Sequence, residues 1–302
     1  MSPRQAPHQL LMIRPAAFAH NDQTLATNAF QARPDTDVQV KALLEFDEVI
    51  HQLAAHEIDV HVFADTTTAP DALFLNNWFS THPTGEVVLY PMMAANRRKE
   101  RRQDVVDWLS SQYQVSRVLD LSPHEKQEQF LEGTGSLVLD HISEVAYATI
   151  SPRTSPGLVE EWCGTMRFAP VIFHAGDEQG QPIYHTNVVM WVGTSVAVLC
   201  LDAIPEEDQE AVISKLATTH RLVSISFQQM KAFAGNVLEV VSRKGDPYFL
   251  MSDTAMRSLL PGQIQELTRH ADLLPVSIPT IEHVGGGGIR CMVAGNHLPL
   301  RQ

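Results

Sequence analysis

Residues 185–225 read HTNVVMWVGTSVAVLCLDAIPEEDQEAVISKLATTHRLVSI, and the order of elements in that stretch decides the fold. Val189 to Val192 and Val196 to Leu199 are short apolar runs joined through Gly193-Thr194, the pattern of a hairpin. A helix is expected from Pro205 to Thr218, because proline opens it and Glu206, Glu207 and Asp208 fill its first turn, where the helix dipole favours acids. Leu222 to Ile225 then reads as a third strand. The stretch is one strand, strand, helix, strand unit, headed by the polar triplet His185-Thr186-Asn187.

The same alternation runs outward in both directions. Val40, Leu43, Leu44, Ile50, Leu53 and Ala54 fall near 3.6-residue spacing and predict a helix from Asp37 to His56, followed by a strand at Val60 to Phe63. Past a loop at Thr66 to Pro70 come a strand at Glu86 to Tyr90, a helix at Arg98 to Gln112 and a strand at Val115 to Leu119. Strands at Leu137 to Leu139 and Val145 to Thr149, a helix at Gly157 to Met166 and a strand at Ala169 to Phe173 form another unit. Beyond residue 225, strands fit Val237 to Val241, Tyr248 to Met251 and Leu273 to Val276, with a helix at Gly262 to His270 between the last two. No long Pro/Gly/Ser linker interrupts the series, so residues 1–302 read as a single α/β domain.

Polar signatures stand just before or within these units: Asn76-Asn77-Trp78, Glu132 to Ser136, His185-Thr186-Asn187, Ala234-Gly235-Asn236, and Gly285 to Cys291. Their spacing of about 50 to 60 residues is that of a repeat in which each unit delivers one polar loop to a common centre.

Composition narrows the function classes. Apolar residues make up 44% of 302 and charged residues 19%, an ordinary globular balance. A net charge of −13 disfavours nucleic acid, whose phosphates need clustered cations. No apolar run reaches the length of about 18 residues that a membrane span needs, and Met1 to Leu11 does not read as a signal peptide, so a cytoplasmic location is expected. The basic run Arg97-Arg98-Lys99-Glu100-Arg101-Arg102 reads as the solvated start of a helix that carries Val105, Trp108 and Leu109 inward. The alternative is that one of its arginines meets an anionic substrate group.

Three cysteines make no paired disulfide framework and show no metal-ligand spacing. Cys200 ends an apolar strand, a core position, and Cys163 falls in a helix with no histidine nearby in sequence. Cys291 differs, because it follows Gly285 to Gly288, whose backbone tolerates positive φ and brings N–H groups close to a ligand. Arg290 is a neighbouring cation, although adjacent side chains on a strand point to opposite faces. A thiol becomes a nucleophile when a cation or dipoles favour its thiolate, so Cys291 is the candidate nucleophile. The glycines lack the strand and helix context of a nucleotide-binding loop. Among fourteen histidines, residue chemistry alone does not single out a partner, and the spacing of His51, His56 and His61 suits structural roles better than a zinc site.

Taken in order, Pro70 to Phe79, Leu131 to Gly135, Tyr184 to Asn187, Ala234 to Asn236 and Gly285 to Cys291 resemble the guanidino-group-modifying enzymes, a superfamily that includes arginine deiminase, dimethylargininase and amidinotransferases. The resemblance spans about residues 10 to 295, and its specificity lies in the order and spacing of five motifs. It implies a pentein, an α/β propeller of five ββαβ units around one central active site. It also implies Cys291 as nucleophile, His185 as general acid/base, Glu132 as the acid orienting that histidine, and Asp71 as a substrate-binding carboxylate. Arg153 falls where the family places an arginine for the substrate carboxylate, with Arg97 a second candidate. The implied chemistry has a protonated His185 stabilising the Cys291 thiolate, attack on a planar carbon, and hydrolysis of the S-linked intermediate. It uses neither metal nor organic cofactor, and its partner is a small amino acid. A homo-oligomer is compatible with the sequence.

Two departures bear on the substrate. Where the superfamily commonly holds a guanidinium cation with carboxylates, this chain has Asn77 and Asn187. An amide supplies both a donor and an acceptor, whereas a carboxylate only accepts. Asn76-Asn77-Trp78-Phe79 also resembles the branch of arginine-deiminase-related citrulline hydrolases. The expectation is hydrolysis of a neutral ureido amino acid, citrulline, to ornithine, ammonia and carbon dioxide. The rival readings are an arginine-type substrate, an amidinotransferase and a non-catalytic pentein. A thiol protease is disfavoured because no papain-like or caspase-like signature surrounds Cys291.

Overall fold

The computed structural model describes residues 4–33 and 38–301. The chain runs through β1 (Gln9–Arg14), α1 (Val38–Ala55) and β2 (Val60–Ala64), then through four complete units. These are β3 (Phe79–Thr81), β4 (Glu86–Leu89), α2 (Gln103–Gln112) and β5 (Arg117–Asp120); β6 (Val138–Asp140), β7 (Val145–Thr149), α3 (Pro156–Met166) and β8 (Ala169–Phe173); β9 (Met190–Val192), β10 (Val196–Leu199), α4 (Glu206–Leu216) and β11 (Arg221–Ser224); and β12 (Leu238–Val241), β13 (Pro247–Ser252), α5 (Pro261–Leu267) and β14 (Asp272–Val276). A last helix, α6 (Pro279–Gly285), leads to β15 (Ala294–Asn296).

The strands form five three-stranded sheets among the described residues. In each, the middle strand is antiparallel to the first and parallel to the third. A tight turn suffices for the antiparallel pair, whereas the parallel pair needs a crossover, and the unit's helix supplies it. The fifth sheet is built from both parts of the chain: β15 pairs antiparallel with β1, which pairs parallel with β2. Neighbouring sheets touch in turn, β15 against β3, β6 against β9 and β9 against β12. The bridge between Ile58, just before β2, and Ser242, just after β12, joins the fourth unit's sheet to the fifth.

Periodicity explains the packing. In α1, Ala42, Phe46, Val49 and Leu53 recur at steps of three and four and are fully buried, while Leu44 faces solvent. Each such large side chain contributes roughly 1.5–3 kcal/mol by leaving water. The middle strand β7 (Val-Ala-Tyr-Ala-Thr) is buried at every position, as expected where helices and neighbouring elements cover both faces. Pro275 lies in β14, an edge strand that tolerates a missing donor.

Most expected elements recur within a few residues. The helix expected from Arg98 begins at Gln103, because Arg97–Glu100 forms a separate 3-10 turn. That turn corrects the solvated reading of the basic run: Arg97 and Glu100 are buried, and only the helix beyond it turns Val105 and Leu109 inward. Asp37, expected to open the first helix, lies outside the described residues. No described helix is long and apolar enough to cross a membrane.

Candidate active site

Four of the five polar motifs sit on one-turn helices at the start of a sheet: Leu75–Asn77 before β3, Gly133–Ser136 before β6, Thr186–Val189 before β9 and Ile289–Met292 before β15. Gly133–Ser136 packs against Leu75–Asn77 and Thr186–Val189, and Leu75–Asn77 packs against Ile289–Met292. The motifs therefore meet. Asp71, Asn77, Arg97, Arg153, His185 and Cys291 line one cavity of about 20 Å³, roughly the space of a single water. Thr24, Asn28 and Gln31 close it from the N-terminal segment.

Glu132 lies behind His185, its Oε2 2.9 Å from the imidazole Nε2. Arg153 and Arg97 approach the same oxygen at 3.6 Å and 3.9 Å. Burial pushes a carboxylate up, but Arg153, the His185 hydrogen bond and Arg97 outweigh it and hold Glu132 at about 2. For His185 the balance goes the other way: burial lowers it to about 4 despite Glu132. Burial thus favours a neutral resting imidazole, whereas the sequence reading expected a protonated one. With Nε2 on Glu132, Nδ1 faces Gly135, where a Cβ would lie 2.6 Å from it. A side chain there would displace the ring, which gives Gly135 a steric reason.

Cys291 is buried, and burial raises its thiol above the ordinary value. Asn236 Nδ2 lies 3.3 Å from Sγ and Asn187 Nδ2 3.6 Å from it. Arg290 and the backbone at Gly288 act in the same lowering direction. Asn236 also donates to the Asn187 carbonyl at 2.8 Å, and its Oδ1 accepts the Arg290 N–H at 3.1 Å. That second bond fixes the amide, so its nitrogen is the atom turned to sulfur. Cys163 and Cys200 lack such company and are pushed by burial to about 12 and about 11. Within the glycine run only Gly286 has a positive φ, 63°, where it caps α6.

Opposite the thiol, Asn21 donates to Asp71 Oδ2 at 2.7 Å, and Arg97 Nε lies 3.8 Å from it. Burial raises Asp71, with Arg97 and Asn21 opposing. The other oxygen, Oδ1, is buried with no hydrogen-bond partner. Arg97 donates through Nε and Nη2 to Glu100, through Nη1 to Asn77 Oδ1 at 2.9 Å and through Nη2 to the Phe74 carbonyl at 3.3 Å. It is occupied by protein groups. Because arginine only donates, Asn77 must present its oxygen to Arg97, and its Nδ2 is buried without a partner. Arg153 donates to Thr27 Oγ1 at 2.8 Å and the Thr24 carbonyl at 3.1 Å, and it lies 5.0 Å from the Tyr184 ring centroid.

Of the residues singled out in sequence, Asn76 stands apart from the cavity: it donates to Thr134 Oγ1 at 3.2 Å. Asn187 faces the sulfur. Sequence reasoning assigned no role to Asn236, Asn21 or Glu100; Asn236 lay in a recognised motif, and Glu100 stands three residues after Arg97. His51 is exposed, His56 Nδ1 lies 2.8 Å from the Gln52 carbonyl oxygen, and His61 stacks on Trp108 at 3.8 Å. Among the described residues, no three His, Cys, Asp or Glu side chains gather to hold a metal ion.

A buried thiol beside two carboxamides thus lines one small cavity with His185, backed by Glu132, as the resemblance implied. Residues 14–298 match the family profile described as N,N dimethylarginine dimethylhydrolase, eukaryotic, and the chain belongs to this family of hydrolases acting on C–N bonds. No curated protein sequence matches it. Among solved structures, it is similar to ArgZ, an arginine dihydrolase from the ornithine-ammonia cycle in Cyanobacteria. The TM-score is 0.77 and the identity 15%, over 97% of this chain but 41% of that one. The N-terminal domain of ArgZ bound to substrate matches over 97% of this chain and 99% of its own length, with TM-score 0.76 and 15% identity. DDAH from Pseudomonas aeruginosa complexed with citrulline has TM-score 0.66 and 12% identity, covering 96% and 99%. The chain thus spans about two fifths of full-length ArgZ.

Proposed function

We propose that this chain hydrolyses a ureido amino acid, citrulline, through a covalent Cys291 intermediate, in a fold whose five sheets are the blades of a pentein propeller. One observation carries the choice of substrate. Asp71 and Asn77 both line the cavity, and each has one buried atom without a hydrogen-bond partner, the acceptor Asp71 Oδ1 and the donor Asn77 Nδ2. A ureido group has N–H for the first and C=O for the second, so it satisfies both. A guanidinium has donors only and leaves Asn77 Nδ2 unpaired, at a cost of roughly 1–3 kcal/mol. Asn187 contributes less to this argument than its sequence position implied, because its amide is turned to sulfur.

The chemistry starts from a neutral pair. The Cys291 proton passes to His185 as sulfur attacks the ureido carbon, and the Glu132 carboxylate holds the new imidazolium. His185 returns the proton to the departing ammonia and then takes one from water, which attacks the S-linked carbamoyl carbon. The C–S bond breaks, His185 reprotonates the sulfur, and the released carbamic acid of ornithine loses carbon dioxide. Overall, citrulline and one water give ornithine, ammonia and carbon dioxide. Arg153 receives the substrate carboxylate once it leaves Thr24 and Thr27, so the segment around those residues opens to admit an amino acid. The fold is compatible with such a ligand, since the similar DDAH structure holds citrulline.

A second reading, an arginine-type substrate, is favoured by Asp71, whose carboxylate suits a cation. Incubating the protein separately with citrulline, arginine and N,N-dimethylarginine, with ammonia and ornithine as readouts, separates the two. Turnover of arginine without turnover of citrulline overturns the ureido assignment. Adding glycine as acceptor exposes an amidinotransferase by its product. Full activity in a folded C291S variant removes Cys291 from the reaction.

A further inference from the structure

A cavity of about 650 Å³ lies outside the catalytic one, within the range of about 300–1,000 Å³ typical of small-molecule sites. Tyr184 borders both, and the segment that closes the catalytic centre lines the two in alternation, Thr24, Asn28 and Gln31 on the catalytic side and Thr27, Ala29 and Phe30 on this one. Its wall is aromatic. Phe30 lies 5.9 Å from Tyr184 and 5.4 Å from Phe233, ring centroid to centroid, with Met230 beside them. The Tyr184 hydroxyl is tied to the Gly286 carbonyl and Arg153 lies over its ring, so that ring is fixed in place.

The charges bordering this wall are mainly acidic. Glu282 on α6 is 5% exposed, and its Oε1 is buried without a hydrogen-bond partner. Asp177 stands on the rim, while the one lysine there, Lys231, is paired with Glu178. An aromatic wall attracts a cation through its ring faces. The buried Glu282 carboxyl, bonded by Ser252 and Thr254 but raised by burial and by nearby Glu45 and Asp253, gains from a cation beside it. An anion meets neither.

We propose that this cavity binds an organic cation, an ammonium carried on an apolar body, with the ammonium toward Glu282 and the body against Phe30, Tyr184 and Phe233. The site is separate from the catalytic cavity and faces the segment that covers it. Glu282 takes no part in the proposed chemistry.

Phenethylamine is a suitable probe and 3-phenylpropionate its anionic counterpart. Isothermal titration of the intact chain, before and after alkylation of Cys291 with iodoacetamide, is expected to show one phenethylamine site that survives alkylation and no matching site for the acid. E282Q weakens phenethylamine at least about tenfold, since a charged hydrogen-bond partner is lost, and leaves citrulline turnover unchanged. F30A, at a half-buried position, gives an independent reading of the wall should E282Q fail to fold. Equal binding of the acid, loss of the site on alkylation, or an unchanged affinity in the folded variants overturns the proposal.

Discussion

His185 Nε2 and Glu132 Oε2 stand 2.9 Å apart in a fully buried pair, and the carboxylate stays ionised while the imidazole stays neutral. The depressed histidine sets the expected pH profile. Protonation of the free enzyme occurs at about 4 rather than at the ordinary 6.5, so kcat/KM for citrulline is flat from about pH 5.5 to 8 while the chain is folded. An acid limb near the ordinary histidine value contradicts a neutral buried His185. E132Q removes the charge that holds the imidazolium, and kcat falls about 10²–10⁴-fold with the fold retained.

Cys291 makes a separate statement about the resting state. Burial raises its thiol above the ordinary 9.0, and Asn236 is the largest opposing influence. The rate of iodoacetamide alkylation of the free chain is therefore expected to climb with pH on the alkaline side of that value. N236A shifts the curve further up and lowers kcat about tenfold with little change in KM, as loss of one hydrogen bond to an ionising group implies. Alkylation that is already fast and pH-independent at neutral pH shows a preformed thiolate, which contradicts the neutral pair.

Four other histidines govern stability. His8 precedes β1, His82 follows β3, His141 follows β6 and His297 follows β15, and the rings of His141 and His297 are 4.2 Å apart. Burial lowers all four, His82 to about 3 and His141 to about 4, with Asp140 the acid that opposes it at His141, while the exposure of His8 to solvent screens most of its share. Folded values below the unfolded one mean that the unfolded chain takes up protons first as pH falls. Stability is complete above the ordinary 6.5 and is lost as pH drops toward about 4, at most roughly 3 kcal/mol for a shift of His141's size. Urea midpoints at successive pH values check this: a steady fall below neutrality is expected, flattened in the H141N/H297N variant. Midpoints that hold constant down to pH 5 refute it.

The repeated unit was legible because its middle strands and helices carry strong periodicity, as Val196 to Leu199 and Pro205 to Thr218 show. The fifth sheet was not. β15 is the triplet Ala-Gly-Asn, without an apolar pattern of its own, and its pairing with β1 joins residues nearly the whole chain apart. Cys291 was readable as a candidate nucleophile from the glycines before it, whereas His185 and Glu132 were readable only through the order of the motifs. Arg97 misled, because a basic run ordinarily stays in water, whereas Glu100, Asp71 and Glu132 supply enough negative charge to bury one guanidinium. The repeat spacing placed the motifs of Asn236 and Cys291 at one centre, but it did not show that the Asn236 amide would lie against the sulfur.

The substrate assignment turns on one atom, Asn77 Nδ2. Replacing Asn77 with aspartate keeps the shape and substitutes an acceptor for the unpaired donor. Arg97 still has a carboxylate oxygen to bind, since it now donates to Asn77 Oδ1 at 2.9 Å. The second oxygen then takes the place of Nδ2 and adds a carboxylate to the cavity that Asp71 also lines. A ureido oxygen loses its donor and meets negative charge, while a guanidinium gains a second carboxylate. N77D is therefore expected to lower kcat/KM for citrulline about 10–100-fold and to improve binding of arginine by a similar factor. N77A, which removes the donor without adding charge, costs citrulline as well but gives arginine no comparable gain. Steady-state kinetics with citrulline and titration with arginine on inactive C291A backgrounds separate these effects. If N77D leaves the preference between the two ligands unchanged, Asn77 does not read the substrate's head group, and the ureido reading loses its support.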